Sequence, residues 1–343
     1  MGDTKAYRIT FLGLAIVLTL TFFLNISLGS VAIPPIQTLK SLIGQAPDVP
    51  SWDYIIWNYR IPKALTAILV GGGLSISGLL MQTLFRNPLA GPFVLGISSG
   101  ASLGAALFLM GATSANVMAF SGFFNDISLA AAASIGSFAV LFVVVLVANR
   151  VRDTMALLII GLMFGSITAA IVSILAYFSS AEDLQRFVFW SFGSLGDLSY
   201  PQIGLLATIS GIGLLLSIAA LKALNALLLG EQYANSMGIS MKTTRFTIIC
   251  ATGLFAGGIT AFVGPIGFVG LAVPHLTRQI FKTMDHRVLL PAVFGYGAIL
   301  MLLCDILAQL PTSESVLPIN AITSLVGAPV VIWLLIRKRK IVF

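Results

Sequence analysis

Ile9 to Leu28 is a run of 20 residues without one charged side chain, and runs of this kind recur along the rest of the chain. Lipid offers no partner to a backbone N–H or C=O, so a spanning segment must satisfy its own hydrogen bonds. A helix does so with roughly 20 mainly apolar residues. Ten segments qualify, at residues 9–28, 64–84, 93–110, 129–148, 155–178, 203–221, 246–263, 267–282, 288–310 and 319–336. The eighth is short and begins among glycines. The runs are too long and too uniformly apolar for the alternating strands of an outer-membrane barrel. The expectation is an all-α polytopic membrane protein of about ten helices, with one transmembrane domain over residues 1–343. Composition agrees, since 9% charged residues is far below the roughly 25% of soluble domains.

Lys5 and Arg8 precede the first run and Ser30-Val31-Ala32 follows it, an arrangement reminiscent of a signal peptide. The run is longer than an ordinary signal core, so an uncleaved first helix is expected. With the N-terminus inside, fifteen of the nineteen Lys and Arg fall on inner segments, and Lys40, Arg60, Lys63 and Arg186 fall outside. Inner loops carry the excess of basic residues, which places both termini in the cytoplasm. The net charge of +7 is not read as nucleic-acid binding, because the basic residues form no patch interleaved with aromatics. Cys250 and Cys304 lie inside apolar runs and suggest neither a disulfide nor a metal site.

Catalytic chemistry is hard to place. The histidines are His275 and His286, and no Ser/His/Asp set or paired carboxylates accompany them. Ion-coupled carriers usually keep ionisable groups at membrane depth, and here the acid well inside an expected span is Asp305. The competing reading is therefore a secondary carrier driven by an ion gradient through Asp305. Gly96, Gly100 and Gly104, Gly161 with Gly165, and Gly253 with Gly257 recur at the spacing that lets helix backbones approach closely. Gly91-Pro92 and Gly264-Pro265 each lead into a glycine-rich segment, a faint echo of an inverted repeat.

Three stretches lie outside the spans. Residues 29–62 contain Trp52, Tyr54, Trp57 and Tyr59, which fit an interfacial aromatic belt. Residues 179–202 contain a candidate interfacial helix from Leu184 to Trp190. Residues 222–245 face the cytoplasm. There Gly230 breaks the chain, Glu231 suits the positive end of a short helix, Gly238 stops it and Ser240 caps a second short turn. Two brief helices joined by glycine would form a knob able to lie in a groove on another protein.

Several motifs carry a resemblance. They are Arg60-Ile61-Pro62-Lys63; Gly78 to Gln82 with Phe85-Arg86-Asn87-Pro88-Leu89-Ala90 and Gly96-Ile97-Ser98-Ser99-Gly100-Ala101; Leu224-Asn225, Leu229-Gly230, Ala234 and Gly238; Gly267-Phe268-Val269-Gly270-Leu271, Val273-Pro274-His275 and Asp285-His286-Arg287; and Leu317-Pro318-Ile319 with Leu325-Val326-Gly327-Ala328-Pro329. In this order they resemble FecCD-type permease subunits of the importers for iron-siderophore, haem and vitamin B12 chelates. The resemblance implies an inverted-repeat, type II ABC importer bundle in the inner membrane, a transport permease and not an enzyme. It implies a second permease copy as a homodimer, two cytoplasmic ATPase subunits that hold ATP and Mg, and an external substrate-binding protein. The permease itself would bind no cofactor and no metal, and the path would follow mainly the fifth and tenth helices. By the same resemblance, Asn225, Leu229, Gly230, Glu231, Ala234 and Gly238 form the ATPase-coupling segment. Arg60 and Lys63 dock the binding protein, where external cations would steer and orient a partner. Asp153 and Thr154 form the cytoplasmic gate. Asn87, Pro88, Gly267, Gly270, Pro274, His275, Gly327 and Pro329 are signature residues of structural role. Vitamin B12 permeases of the family carry a further external Arg where this chain has Gln309.

Overall fold

The computed structural model describes residues 4–111, 125–151, 153–196, 198–309 and 316–336. Arg152 and the basic run from Arg337 to Lys340, both counted on the inner side, lie outside the described residues. In chain order the helices are α1 (Thr4–Ser27), α2 (Pro35–Leu42), α3 (Pro50–Ile55), α4 (Ile61–Leu84), α5 (Ile97–Met110), α6 (Asn125–Arg150), α7 (Thr154–Phe178), α8 (Ala181–Ser191), α9 (Tyr200–Ala219), α10 (Leu221–Leu227), α11 (Glu231–Ser236), α12 (Met241–Val263), α13 (Val269–Phe281), α14 (His286–Ala308) and α15 (Ile319–Ile336). A π-helical turn at Ile56–Arg60 joins α3 to α4.

Seven helices among the described residues are long and apolar enough to cross a membrane. Expected segments 93–110 and 319–336 form shorter apolar helices, Ile97–Met110 and Ile319–Trp333. Segment 267–282 becomes α13, of 13 residues. The backbone explains two of these starts. Gly96 is left-handed, with φ 73°, and separates a 3-10 turn at Pro92–Leu95 from α5. Phe268 has φ 67° and forces the chain to turn immediately before α13. The Gly-Pro echo thus ends each time in a left-handed residue that opens a short helix. The expected second span, by contrast, is longer than its apolar core, because α3, the π turn and α4 run on as one element from Pro50 to Leu84.

The helices group into two units. One comprises the described residues among 4–76, 194–207 and 267–336; the other comprises those among 77–193 and 208–266. In the first unit α4 meets α14 backbone to backbone. A methyl group on Gly71 would collide with the Gly297 carbonyl, and one on Gly72 with the Phe294 ring. The Ser75 hydroxyl donates back to the Gly71 carbonyl at 2.6 Å, so its polarity is absorbed within the helix. Leu14 of α1 fills the space over Gly295, and the Phe11 and Phe281 rings lie 4.9 Å apart between α1 and α13.

In the second unit the small-residue spacing performs the close packing expected of it. A methyl group on Gly100 would sit 2.6 Å from the Gly136 carbonyl of α6, and one on Gly96 2.9 Å from the Gly161 carbonyl of α7. Leu141 of α6 covers Gly253 of α12, and Phe255 of α12 packs on Gly213 of α9. Dispersion over such close backbones drives helix association where lipid removes any hydrophobic incentive. The expected helix from Leu184 to Trp190 is α8. Its cap is Ser180, which accepts from the Asp183 N–H at 3.2 Å, and Phe187 and Trp190 pack on Ala101, Ala105, Ala133 and Ala261.

Candidate functional site

The segment after α9 folds into the knob its glycines predict. Leu224 and Leu227 of α10 are buried, and α10 closes when the Gly230 N–H donates to the Leu227 carbonyl at 3.0 Å. Gly230 then takes φ 106° and ψ 157°, a conformation a side chain would strain. This reversal starts α11 directly at Glu231. Gly238 takes φ 79°, and the Ile239 N–H reaches back to the Ala234 carbonyl at 3.1 Å, closing the far end of α11 as a Schellman-type stop. Ala234 is fully buried beneath this short helix, and Asn225 is half-buried on α10. Ser240 caps no second short turn. Its hydroxyl accepts from Thr243 N–H at 3.4 Å and so begins the long helix α12.

Two features of the knob matter chemically. Leu229, just before the reversal at Gly230, Tyr233 within α11 and Met237 at its end are 64%, 51% and 58% exposed. The Arg245 Nη2 of α12 donates to both oxygens of Glu231, at 2.9 and 3.0 Å, and Arg245 Nη1 lies 3.5 Å from the Val151 carbonyl. Sequence reading missed this role for Arg245, which counted there only as one more inner basic residue. The signal available was its place a few residues beyond Gly238.

Asp153 and Thr154 sit at the turn into α7. The Asp153 Oδ1 caps the helix by accepting from the Met155 N–H at 2.9 Å. Thr154 is the first residue of α7, and its side chain lies outside the described residues. Asn87 stabilises its own loop, Oδ1 accepting from the Leu89 N–H at 2.9 Å just ahead of Pro88. Around the start of α13 the structure brings signature residues together. The Gly267 N–H donates to Asn320 Oδ1 at 3.0 Å, and Phe268 fills the space a side chain at Gly327 would need. Gly270 and Pro274 are buried within α13, His275 half-buried a residue later. Pro329 lies inside α15.

Arg60 and Lys63, which have no close partner in sequence, find partners distant in it. Arg60 is only 8% exposed. Its Nη1 donates to the carbonyls of Ile26 and Ser27 at 2.9 and 2.7 Å, and its Nη2 to that of Val31. It therefore neutralises the carbonyl-rich end of α1, where a positive charge is favoured. Lys63 pairs with Asp305 Oδ1 at 3.0 Å. Asp305 is itself held by more than Lys63. Its Oδ2 accepts from Asn25 Nδ2 at 2.9 Å and from Gln309 Nε2 at 2.7 Å. The two cations, Asn25 and Gln309 share a cavity of about 190 Å³ with Gly29, Ser30, Val31, Ile55, Tyr59 and Val316. Asn25 was also missed, although an amide late in an apolar span already signals a buried partner.

Comparison with known proteins places this geometry. The profile of the FecCD transport family matches residues 17–337. The vitamin B12 import system permease protein BtuC of Klebsiella pneumoniae is 36% identical over 327 residues, 95% of this chain and 93% of its own length. Its counterpart from Escherichia coli O9:H4 is 36% identical over 291 residues, 85% and 86% of the two chains. A solved structure described as an inward-facing conformation of a putative metal-chelate type ABC transporter matches with TM-score 0.80 and 30% identity. That match covers 97% of this chain and 99% of the other.

Proposed function

The chain belongs to the FecCD transport family, and from that premise we propose that it carries a metal chelate of the siderophore, haem or cobalamin kind into the cytoplasm by alternating access. It is a multi-pass ABC importer permease and not an enzyme. In this reading two copies form the path in the inner membrane, two ATPase subunits drive it from the cytoplasm, and an external binding protein delivers the chelate. ATP and Mg reside on the ATPase, and this chain binds no cofactor of its own.

The observation that carries the reading is the knob. A six-residue helix is far too short to be stable alone in water, yet α11 is held by two left-handed glycines and one bidentate ion pair. Tyr233 on this helix, and Leu229 and Met237 beside its two ends, are exposed. An apolar side chain aimed away from its own protein is suited to a hydrophobic groove on a partner. The residues Asn225, Leu229, Gly230, Glu231, Ala234 and Gly238 act there as a rigid handle. Asp153 and Thr154 gate the cytoplasmic end of α7 that the handle's motion opens and closes. The carrier reading loses its basis, since Asp305 is tied to Lys63, Asn25 and Gln309.

The test is uptake into proteoliposomes that contain the chain, its ATPase and its binding protein, with cobalamin and a ferric hydroxamate siderophore offered separately. The expected result is uptake of one chelate that requires ATP and is lost in Gly238→Val. Uptake that ignores ATP, follows a proton or sodium gradient and disappears in Asp305→Asn would overturn the proposal.

A further inference from the structure

We propose that Arg245 is a positioning residue that ties the ATPase-docking knob to the turn opening α7, so that a push on the knob is delivered to that turn. The inference rests on the coupling reading above and goes beyond it by naming the connection.

Arg245 stands near the start of α12, a helix fastened to α6 where Leu141 covers Gly253 and Ser137 crowds Gly257. Its base is therefore fixed. Its guanidinium reaches in two directions. Nη2 grips both oxygens of Glu231, the first residue of α11. Nη1 lies 3.5 Å from the carbonyl of Val151. Val151 ends α6, its N–H donating to the Val147 carbonyl at 2.9 Å, and Asp153 caps α7 two residues later. One side chain thus touches both the first residue of α11 and the residue that follows α6.

The chemistry suits a tie. A guanidinium is planar, holds its donors in a rigid fork and is weakly hydrated, so two contacts at a fixed angle are made together. Charge-assisted bonds to a carboxylate are about twice as strong as neutral ones. The pair is also sheltered, with the Arg245 side chain 10% exposed and that of Glu231 34%. The ion pair Arg186–Glu182 on α8, at 2.7 Å, is wide open to solvent, where such pairs contribute little. A lysine at 245 would carry the charge but not the fork, and would hold one end of the tie at a time.

The experiment uses the reconstituted complex and reads chelate transported per ATP hydrolysed, with labelled cobalamin and ferric hydroxamate as probes. In Arg245→Lys and Arg245→Ala that ratio is expected to fall at least tenfold, while the ATPase co-purifies in the wild-type ratio. Glu231→Gln is expected to show a similar fall, and the double variant Glu231→Gln/Arg245→Ala to be no worse than Arg245→Ala alone within twofold, because the tie is one unit. Arg245→Lys guards against misfolding, since it retains charge and length. An unchanged ratio in Arg245→Lys and Arg245→Ala, losses that multiply in the double variant, or loss of the ATPase from Arg245→Lys would each overturn the inference. Wild-type uptake indifferent to ATP would instead overturn the coupling reading on which it stands.

Discussion

Lys63–Asp305 and Arg245–Glu231 close to nearly the same distance, 3.0 and 2.9 Å, but they join different kinds of structure. Lys63 and Asp305 project from the long helices α4 and α14, whose backbones touch at Gly71 and Gly297. Their side chains are 19% and 2% exposed, and Asn25 and Gln309 complete the carboxylate. Nothing in that pair can move without separating two close-packed helices. Glu231, in contrast, begins a helix of six residues flanked by glycines at φ 106° and 79°. The ion pair joins this short helix to the long helix α12. The same chemistry serves as a rivet in one place and as a tendon in the other, and the difference lies in the stiffness of what each end is attached to.

Breaking the rivet should have the largest effect on stability. Asp305→Ala leaves the Lys63 ammonium without its counter-charge in a sheltered site, which costs about 3–5 kcal/mol. It should appear as a large fall in Tm of the detergent-purified protein. Asp305→Asn keeps the shape and should lose less, and it should retain ATP-driven uptake. A Tm for Asp305→Ala equal to wild type would show that the Lys63–Asp305 pair is no rivet.

Next in size is Gly297→Val. The atoms opposite are the Ser75 hydroxyl and the Gly71 backbone, and the backbone cannot rotate aside, so overpacking should cost about 1–3 kcal/mol and lower the yield of monodisperse protein. The tendon should behave otherwise. Glu231→Gln keeps the size of the side chain and an acceptor for Arg245, so its Tm should fall less than that of Asp305→Ala while chelate moved per ATP drops. Equal Tm losses for Asp305→Ala and Glu231→Gln would show both pairs to be rivets. Tyr233→Ser with Met237→Ser should leave stability within about 0.5 kcal/mol of wild type, as exposed substitutions do, but weaken co-purification of the ATPase.

The smallest effect concerns a third pair, Lys40 with Asp48, exposed at 3.0 Å. The hydrogen bond from Lys40 holds the Asp48 carboxyl below its ordinary value of 3.8. A carboxylate lowered in this way contributes its full share above the ordinary value and loses it only as pH falls through the depressed one. Lys40→Ala should therefore leave uptake unchanged from pH 5 to 8, and differ from wild type only in strongly acid unfolding measurements.

Residue spacing alone determined that the chain is helical and membrane-spanning, because lipid forces each apolar segment to satisfy its own backbone. The glycines at 230 and 238 likewise announced the knob, since a reversal of the chain at those points is a local property of the residue. The Gly-Pro turns were legible for the same reason, whereas the run from Asn87 to Ala90 stood out only as a family motif. Partnerships were not. Asn25 and Asp305 are 280 positions apart, and no local pattern indicates that an amide in the first helix meets an acid in α14. Arg60 and Lys63 look identical to free surface cations in sequence. Only the tertiary structure decided that one caps α1 and the other neutralises Asp305, because in a sheltered site the cost of an unpaired charge outweighs what water would return. Arg245 was hidden in the same way: its importance lies in where Glu231 and Val151 are brought to it, and that placement belongs to the fold.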